Sequence, residues 1–264
     1  MEKKVVLVTG GSSGIGKAAA EALRDSGCIV YEGSRRESDL PGITHVSLDV
    51  TDERSVASAV EQVLEREGRV DILITCAGSG ISGAVEFTEA EAVRRQMDVN
   101  FMGTVHSVKA VLPWMRKAGG GRIVLISSVA AQFPIPFQTY YSASKAAVNA
   151  YACALANEIR PFGITVTAVQ PGDIKTGFTA ARAKSVLGDD VYGGRIARSV
   201  AVMERDEENG MDPAAAGRWI AGIALRRRCR PVCTLGFSYQ CLCVLEKLLP
   251  LSLVNRLVGL IYAK

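Results

Sequence analysis

Apolar and polar positions alternate along this chain in blocks. Residues 3–9 form a short apolar run that passes straight into Gly10-Gly11-Ser12-Ser13-Gly14-Ile15-Gly16 and then an alanine-rich stretch over residues 17–26. A run of that length ending in glycines predicts a buried strand, and the stretch after it predicts a helix. Residues 28–33, 44–48 and 70–76 predict a second, third and fourth strand, with a helix over 52–67 before the fourth. A further helix runs from about residue 89 through Asn100 to Lys117, followed by a fifth strand over 121–127, a long helix over 139–160 and a sixth strand over 164–170. From residue 171 to about 212 the periodicity fades and Gly, Asp and Arg accumulate. The usual connection is roughly two to six residues, so this one predicts a lid, over about 173–212. A helix over 213–228 with proline at its start and a seventh strand over 231–235 complete the pattern. Strands alternating with helices imply an α/β protein whose parallel sheet is covered on both faces, a three-layer α/β/α arrangement.

Composition narrows the class. At 264 residues with no linker-like interior, the chain reads as one domain over residues 1–236 with a C-terminal extension over 237–264. Apolar residues at 48% and charged residues at 22% exclude a disordered chain. The net charge of +4 is spread out, apart from Arg226-Arg227-Arg228 with Arg230, a run that suits a helix C-terminus. No nucleic-acid stripe is present. The N-terminal apolar run is too short for a signal peptide, so a cytoplasmic protein is expected. Of seven cysteines, Cys28, Cys76 and Cys153 stand singly in apolar contexts, as reduced thiols do. Cys229, Cys233, Cys241 and Cys243 cluster, but their spacing is loose for zinc and no histidine is near, so no metal site is expected. Pro250 splits the extension, and neither half reaches the roughly 20 apolar residues of a membrane span. Its two amphipathic pieces can cover the substrate mouth, join a subunit interface or lie on a bilayer; docking on the protein itself is the expected outcome.

Two stretches carry chemistry. The glycines after the first strand allow a tight turn and close approach to a pyrophosphate, and the helix that follows offers unpaired N–H groups and a partial positive charge. Tyr141 and Lys145 lie four residues apart, one above the other on a helix face, where an ammonium stabilises a phenolate and lowers the phenol's pKa.

With these elements in order, the sequence resembles the short-chain dehydrogenase/reductase family over nearly its whole length, excluding roughly the last 28 residues from Phe237. Thr9-Gly10 with Ser12, Ser13, Gly14, Ile15 and Gly16 matches the family's cofactor turn, and Asp49-Val50 resembles the pair that meets the adenine ring. Thr75-Cys76-Ala77-Gly78 stands where the family usually has Asn-Asn-Ala-Gly, keeping the Ala-Gly and losing both asparagines. Asn100, Ser128, Tyr141 and Lys145 fall on the family's catalytic tetrad, whereas Tyr140 is followed four residues later by Ser144 and is excluded. Pro171-Gly172 with Ile174 and Thr176 resembles the segment that wraps the nicotinamide.

The resemblance implies a Rossmann-type doubly wound parallel sheet with the cofactor across the carboxyl ends of the strands. It implies hydride transfer, with Tyr141 as acid/base, Lys145 lowering its pKa and binding the nicotinamide ribose, Ser128 polarising the substrate oxygen, and Asn100 holding a relay water. Ser34 occupies the place where NAD-specific relatives carry an acid, and Arg35 and Arg36 follow, so NADP(H) is expected; Glu32 complicates this if the strand register shifts by two. The segment Phe133-Pro134-Ile135-Pro136-Phe137, apolar and stiffened by prolines, is expected to border the substrate side, although both phenylalanines can instead pack the core. It is similar to the corresponding segment of steroid and retinol dehydrogenases, which implies a lipophilic alcohol or ketone, hydroxysteroid-like or long-chain. A 3-oxoacyl-thioester reductase and a non-catalytic NADP-sensing regulator stay open as alternatives. The family also implies a homo-dimer or homo-tetramer.

Overall fold

The computed structural model describes residues 2–226 and 230–263. In chain order the elements are β1 (Val5–Thr9), α1 (Gly14–Asp25), β2 (Ile29–Ser34), β3 (Thr44–Ser47), α2 (Glu53–Glu67), β4 (Ile72–Thr75) and β5 (Ile81–Ser82). They continue with α3 (Ala90–Met97), a π-helical segment (Asp98–Met102), α4 (Gly103–Lys117), β6 (Gly121–Ile126), α5 (Thr139–Glu158) and β7 (Ile164–Gln170). The last are α6 (Phe178–Ala181), β8 (Ala183–Lys184), α7 (Arg195–Glu208), α8 (Pro213–Leu225), β9 (Val232–Thr234), α9 (Phe237–Glu246) and α10 (Leu251–Tyr262).

The main sheet has seven strands in the order β3-β2-β1-β4-β6-β7-β9, every pair parallel. This is the doubly wound Rossmann-type fold expected from the alternation. Strand order reverses between β1 and β4, which opens a crevice at their carboxyl ends. One face of the sheet packs Val5, Leu7 and Leu73 against α2, α4 and α5 through Val56, Val111 and Val148; the other packs Val6, Val8 and Ile74 against α1 and α8 through Ala19, Leu23 and Ile220. Both faces being buried, the strands read as continuous apolar runs.

Helix ends follow local chemistry. The Asp52 carboxylate accepts from Arg54 N at 2.9 Å to cap α2, which stops at Gly68 in the left-handed region. Asp212 caps α8 by accepting from Ala215 N, with Pro213 in the first turn. That helix ends at Leu225, and Arg227 and Arg228 of the basic run lie outside the described residues. Helices α3 and α4 are one helix interrupted by a π turn, which rotates Asn100 inward to 1% exposure.

The connection expected to be irregular is not. Residues 171–212 contain α6, the strand β8 paired in parallel with β5, and the fourteen-residue α7. Ile196, Ser199, Val200 and Met203 recur at helical spacing on the buried face of α7, so the period was present among the charges.

Candidate active site

A cleft of about 860 Å³ opens over the carboxyl ends of the central strands. Gly10, Cys76, Ser127 and Pro171, the residues next after β1, β4, β6 and β7, all line it. So do Ser12, Ser13, Gly14, Ile15, Gly16, Ser34, Arg35, Arg36, Asp49, Val50, Ala77, Gly78, Ser128, Tyr141, Lys145, Gly172, Ile174 and Thr176.

The glycine end fits a dinucleotide. Gly10 sits at φ 70°, where a Cβ would lie 2.6 Å from Ala77 N, and a Cβ on Gly16 would strike the Gly10 carbonyl. Only bare backbone fits there. Helix α1 begins beyond it with no side-chain cap from Ser13 and no acid in its first turn, so its leading N–H groups are open to an anion. Ser34, Arg35 and Arg36 follow at the end of β2. Burial pushes the Asp49 carboxyl up, but bonds from Thr51 and the nearby Arg35 guanidinium outweigh it and hold the group below its ordinary value. Glu32 does not reach the cleft; it is buried at 1% exposure beneath the turn, bonded to His45 and Ser38.

The chemical end is built by β6, α5 and the π turn. Ser127 and Ser128 diverge: the Ser127 hydroxyl donates to Lys145 O at 3.0 Å, while Ser128 faces the cleft and accepts from Ala130 N at 3.1 Å. Tyr140 and Tyr141 diverge likewise, Tyr140 donating to Val85 O at 3.2 Å and Tyr141 lining the cleft. The Lys145 ammonium donates to Ile126 O at 2.9 Å and sits 5.8 Å from the centroid of the Tyr141 ring. Asn100 is the one tetrad residue that does not line the cleft. Its Oδ1 accepts from Ser79 N at 2.8 Å, and its Nδ2 donates to Ser79 O and Ser144 Oγ, each at 3.0 Å. It fixes the turn at Gly78, where a Cβ would lie 3.5 Å from Asn100 Oδ1 and 3.7 Å from Lys145 Nζ.

Titration in the site differs from the expectation that Lys145 lowers Tyr141. Burial drives Tyr141 up to about 12; its hydrogen-bond partner Ser128 and the Arg182 charge pull it down, while Glu207 and Asp173 raise it. Burial lowers Lys145 to about 8. Cys76 is likewise driven up to about 12 by burial, so its thiol is an inert wall at pH 7.

Residues that the pattern did not single out complete the rim. Arg182, buried at 4% exposure, pairs with Glu207, which also accepts from Thr179 Oγ1 at 2.5 Å. Asp173 and Glu207 line the cleft. Burial raises the Asp173 carboxyl, with Asp206 and Glu207 adding to the rise and the Tyr239 bond and Arg182 opposing it. Phe178 stacks at a tilt on Tyr141, centroids 5.7 Å apart. The Phe133 to Phe137 segment splits between its two readings: Ile135 lines the cleft, whereas Phe137, at φ 60°, packs into a small core with Ala84 and Ile196 and meets Tyr192 edge-on.

The C-terminal extension docks on this rim. The Tyr239 ring covers Gly172 and its hydroxyl donates to Asp173, while Gln132 Nε2 donates to Glu246 at 2.8 Å and Arg195 Nε to Ala263 O at 2.6 Å. Its other side exposes Phe237, Leu248 and Leu251. No helix among the described residues is long and apolar enough to cross a membrane. Among those residues no cluster of three or more His, Cys, Asp or Glu is placed to hold a metal, and Cys229 lies outside them.

Known proteins are similar to this chain in sequence and fold. The chain is 46% identical over 230 residues to a 3-ketodihydrosphingosine reductase of Bacteroides thetaiotaomicron, covering 86% of each chain. A short-chain dehydrogenase structure from Streptomyces avermitilis superposes with a TM-score of 0.84 at 32% identity, covering 94% of both chains. A variant actinorhodin polyketide ketoreductase solved with NADPH superposes with a TM-score of 0.76 at 26% identity, covering 88% of this chain and 95% of that one. The family model for short chain dehydrogenase matches residues 4–186, the span that holds β1 to β8, the glycine turn and Asn100, Ser128, Tyr141 and Lys145; the chain belongs to the short-chain dehydrogenase family of oxidoreductases.

Proposed function

We propose that this protein is an NADP(H)-dependent reductase of long-chain lipophilic ketones, of the kind exemplified by 3-ketodihydrosphingosine. The observation that carries the reading is the convergence of Ser128, Tyr141 and Lys145 on one cleft whose far end is the glycine turn followed by Ser34, Arg35 and Arg36. The polar edge of that far end has two guanidinium groups and no carboxylate on the specificity strand facing the cleft, which suits a 2′-phosphate. Apolar groups of Val129, Ile135, Phe178 and Ala181 beside Tyr141 suit an alkyl chain. The reductase relative directs the substrate toward a long-chain amino ketone rather than a steroid.

A bound nicotinamide supplies the hydride to the carbonyl carbon. Ser128 donates a hydrogen bond to the carbonyl oxygen and polarises it, and Tyr141 passes its proton to that oxygen as charge develops. Burial raises Tyr141 and lowers Lys145, so at neutral pH the phenol holds the proton that the carbonyl oxygen takes. Lys145, on the wall of the cleft, would also hold the nicotinamide ribose hydroxyls. Asn100 holds the Gly78–Ser79 turn beside Lys145. The free thiols of Cys28, Cys76, Cys153, Cys241 and Cys243 support a reducing, cytoplasmic setting.

The test is NADPH and NADH oxidation with a panel of 3-ketodihydrosphingosine, a 3-ketosteroid and an acetoacetyl thioester. Turnover with NADPH and the first compound is the expected result. Faster turnover of the thioester moves the protein to the 3-oxoacyl-thioester reductases, and no turnover of any ketone leaves a cofactor-sensing regulator.

A further inference from the structure

Glu32 is a buried carboxylate that the reaction does not use. It lies on the α1 face of β2, in line with Val30, directly across the ladder from His45 on β3. Gly11 crosses above it so closely that a Cβ there would sit 2.6 Å from Glu32 Cβ. Its Oε1 takes three contacts: His45 Nδ1 at 2.5 Å, the Ser38 hydroxyl, and the Ser34 hydroxyl at 3.4 Å. Oε2 is buried without a hydrogen-bond partner among the described residues. Leaving a carboxylate oxygen unpaired inside the protein costs stability, so a side chain kept there at that cost calls for a role.

Its partners identify the role. Residues 35–40 have no regular structure and are mostly exposed, yet they carry Arg35 and Arg36 on the wall of the cleft. Ser34 Oγ donates to Arg36 O at 2.8 Å, closing the near half of the loop on itself, and Ser38 ties the far half to Glu32 beneath. Arginine side chains on an untethered loop lose much of their attraction for a phosphate to the entropy of ordering them.

We propose that Glu32, braced by His45, is a positioning residue for cofactor choice: by holding the Ser38 hydroxyl it sets the loop that presents Arg35 and Arg36 to the 2′-phosphate of NADP(H). An acid two residues before the specificity position, which in a shifted register would select NAD, here selects NADP from below. The inference rests on the NADP(H) reading of the site.

The test is calorimetric binding to the cofactor-free protein of two probes, adenosine 2′,5′-bisphosphate and 5′-AMP, which differ only in the 2′-phosphate. Wild type is expected to favour the bisphosphate. Glu32→Ala is expected to weaken the bisphosphate by about tenfold while changing AMP by no more than about twofold, the scale of one charge-assisted contact network. Because Glu32 is buried, Ser38→Ala serves as the variant that cuts the tether and leaves the strand intact; it is expected to shift the same ratio by about threefold, with Ser38→Thr restoring it. If wild type shows no preference between the probes, the NADP(H) reading fails and the proposal with it. If wild type prefers the bisphosphate but Ser38→Ala keeps the full preference, or both probes weaken together, the positioning role of Glu32 is refuted and the NADP(H) reading stands.

Discussion

Replacing Lys145 by methionine is expected to remove catalysis and stabilise the cofactor-free protein at neutral pH. Lys145 is 5% exposed, and among the described residues its ammonium has a single hydrogen bond, to Ile126 O. Burial lowers it from 10.5 to about 8, which corresponds to about 3 kcal/mol of cost for holding the charged form in the fold. Methionine removes that cost but leaves the Ile126 carbonyl unpaired, a loss of roughly 1 to 3 kcal/mol. The net gain is on the order of 1 kcal/mol at pH 7, or about 2 °C in Tm for a chain of this size. The pH dependence has a definite sign. The unfolded chain keeps the lysine proton up to 10.5 while the folded chain releases it near 8, so wild type gains stability as pH rises through that window. Lys145→Met has no such group, so its advantage is largest below pH 8 and reverses by about pH 10.5, where the neutral lysine retains its bond to Ile126. Urea denaturation of both proteins from pH 6 to 10.5 is the assay. A variant less stable than wild type at pH 7, with a gap that stays constant across the window, would refute the assignment of Lys145 as a strained, desolvated cation.

Two further substitutions probe the cofactor end. Arg35→Ala should raise the KM for NADPH by about tenfold and barely alter that for NADH, as loss of one guanidinium-phosphate contact does; equal changes for both cofactors would remove Arg35 from the phosphate site. Gly16→Ala places a methyl against the Gly10 carbonyl and should abolish NADPH binding, with a stability loss of about 1 to 3 kcal/mol from overpacking; fluorescence titration of NADPH and a melting curve report the two effects separately.

Local patterning carried most of the sheet. All seven strands of the main sheet fall on the predicted segments, apart from Ser34 joining β2; the central strands β1, β4, β6 and β7 were the plainest, because a strand buried on both faces needs a largely apolar segment, whereas the edge strands β3 and β9 are only partly buried. The meeting of Tyr141, Lys145 and Ser128 was legible because Tyr141 and Lys145 share one helix turn and Ser128 lies two residues past the end of β6. Long-range pairs were not. Arg182 and Glu207 are 25 residues apart, and neither α6 nor α7 signals on its own that the two meet beside Tyr141. Helix α7 was hidden by its charges and by Gly193-Gly194 just ahead of it, even though Ile196, Val200 and Met203 keep helical period. The downward pull of Lys145 on Tyr141 was inferred from spacing and from the family resemblance; neither tells how deeply the two groups are buried, and burial dominates both here. Glu32 shows the same limit, since its depth beneath Gly11 depends on how β2 sits under the glycine turn.

The most direct measurement is single-turnover NADPH oxidation in the presence of 3-ketodihydrosphingosine, for wild type and Tyr141→Phe, alongside NADPH titration of each. Loss of general-acid help from Tyr141 should slow the variant by about 100-fold or more while NADPH affinity stays within about twofold of wild type. A variant that binds NADPH normally and keeps more than about 10% of the wild-type rate would contradict the role of Tyr141 as the proton donor.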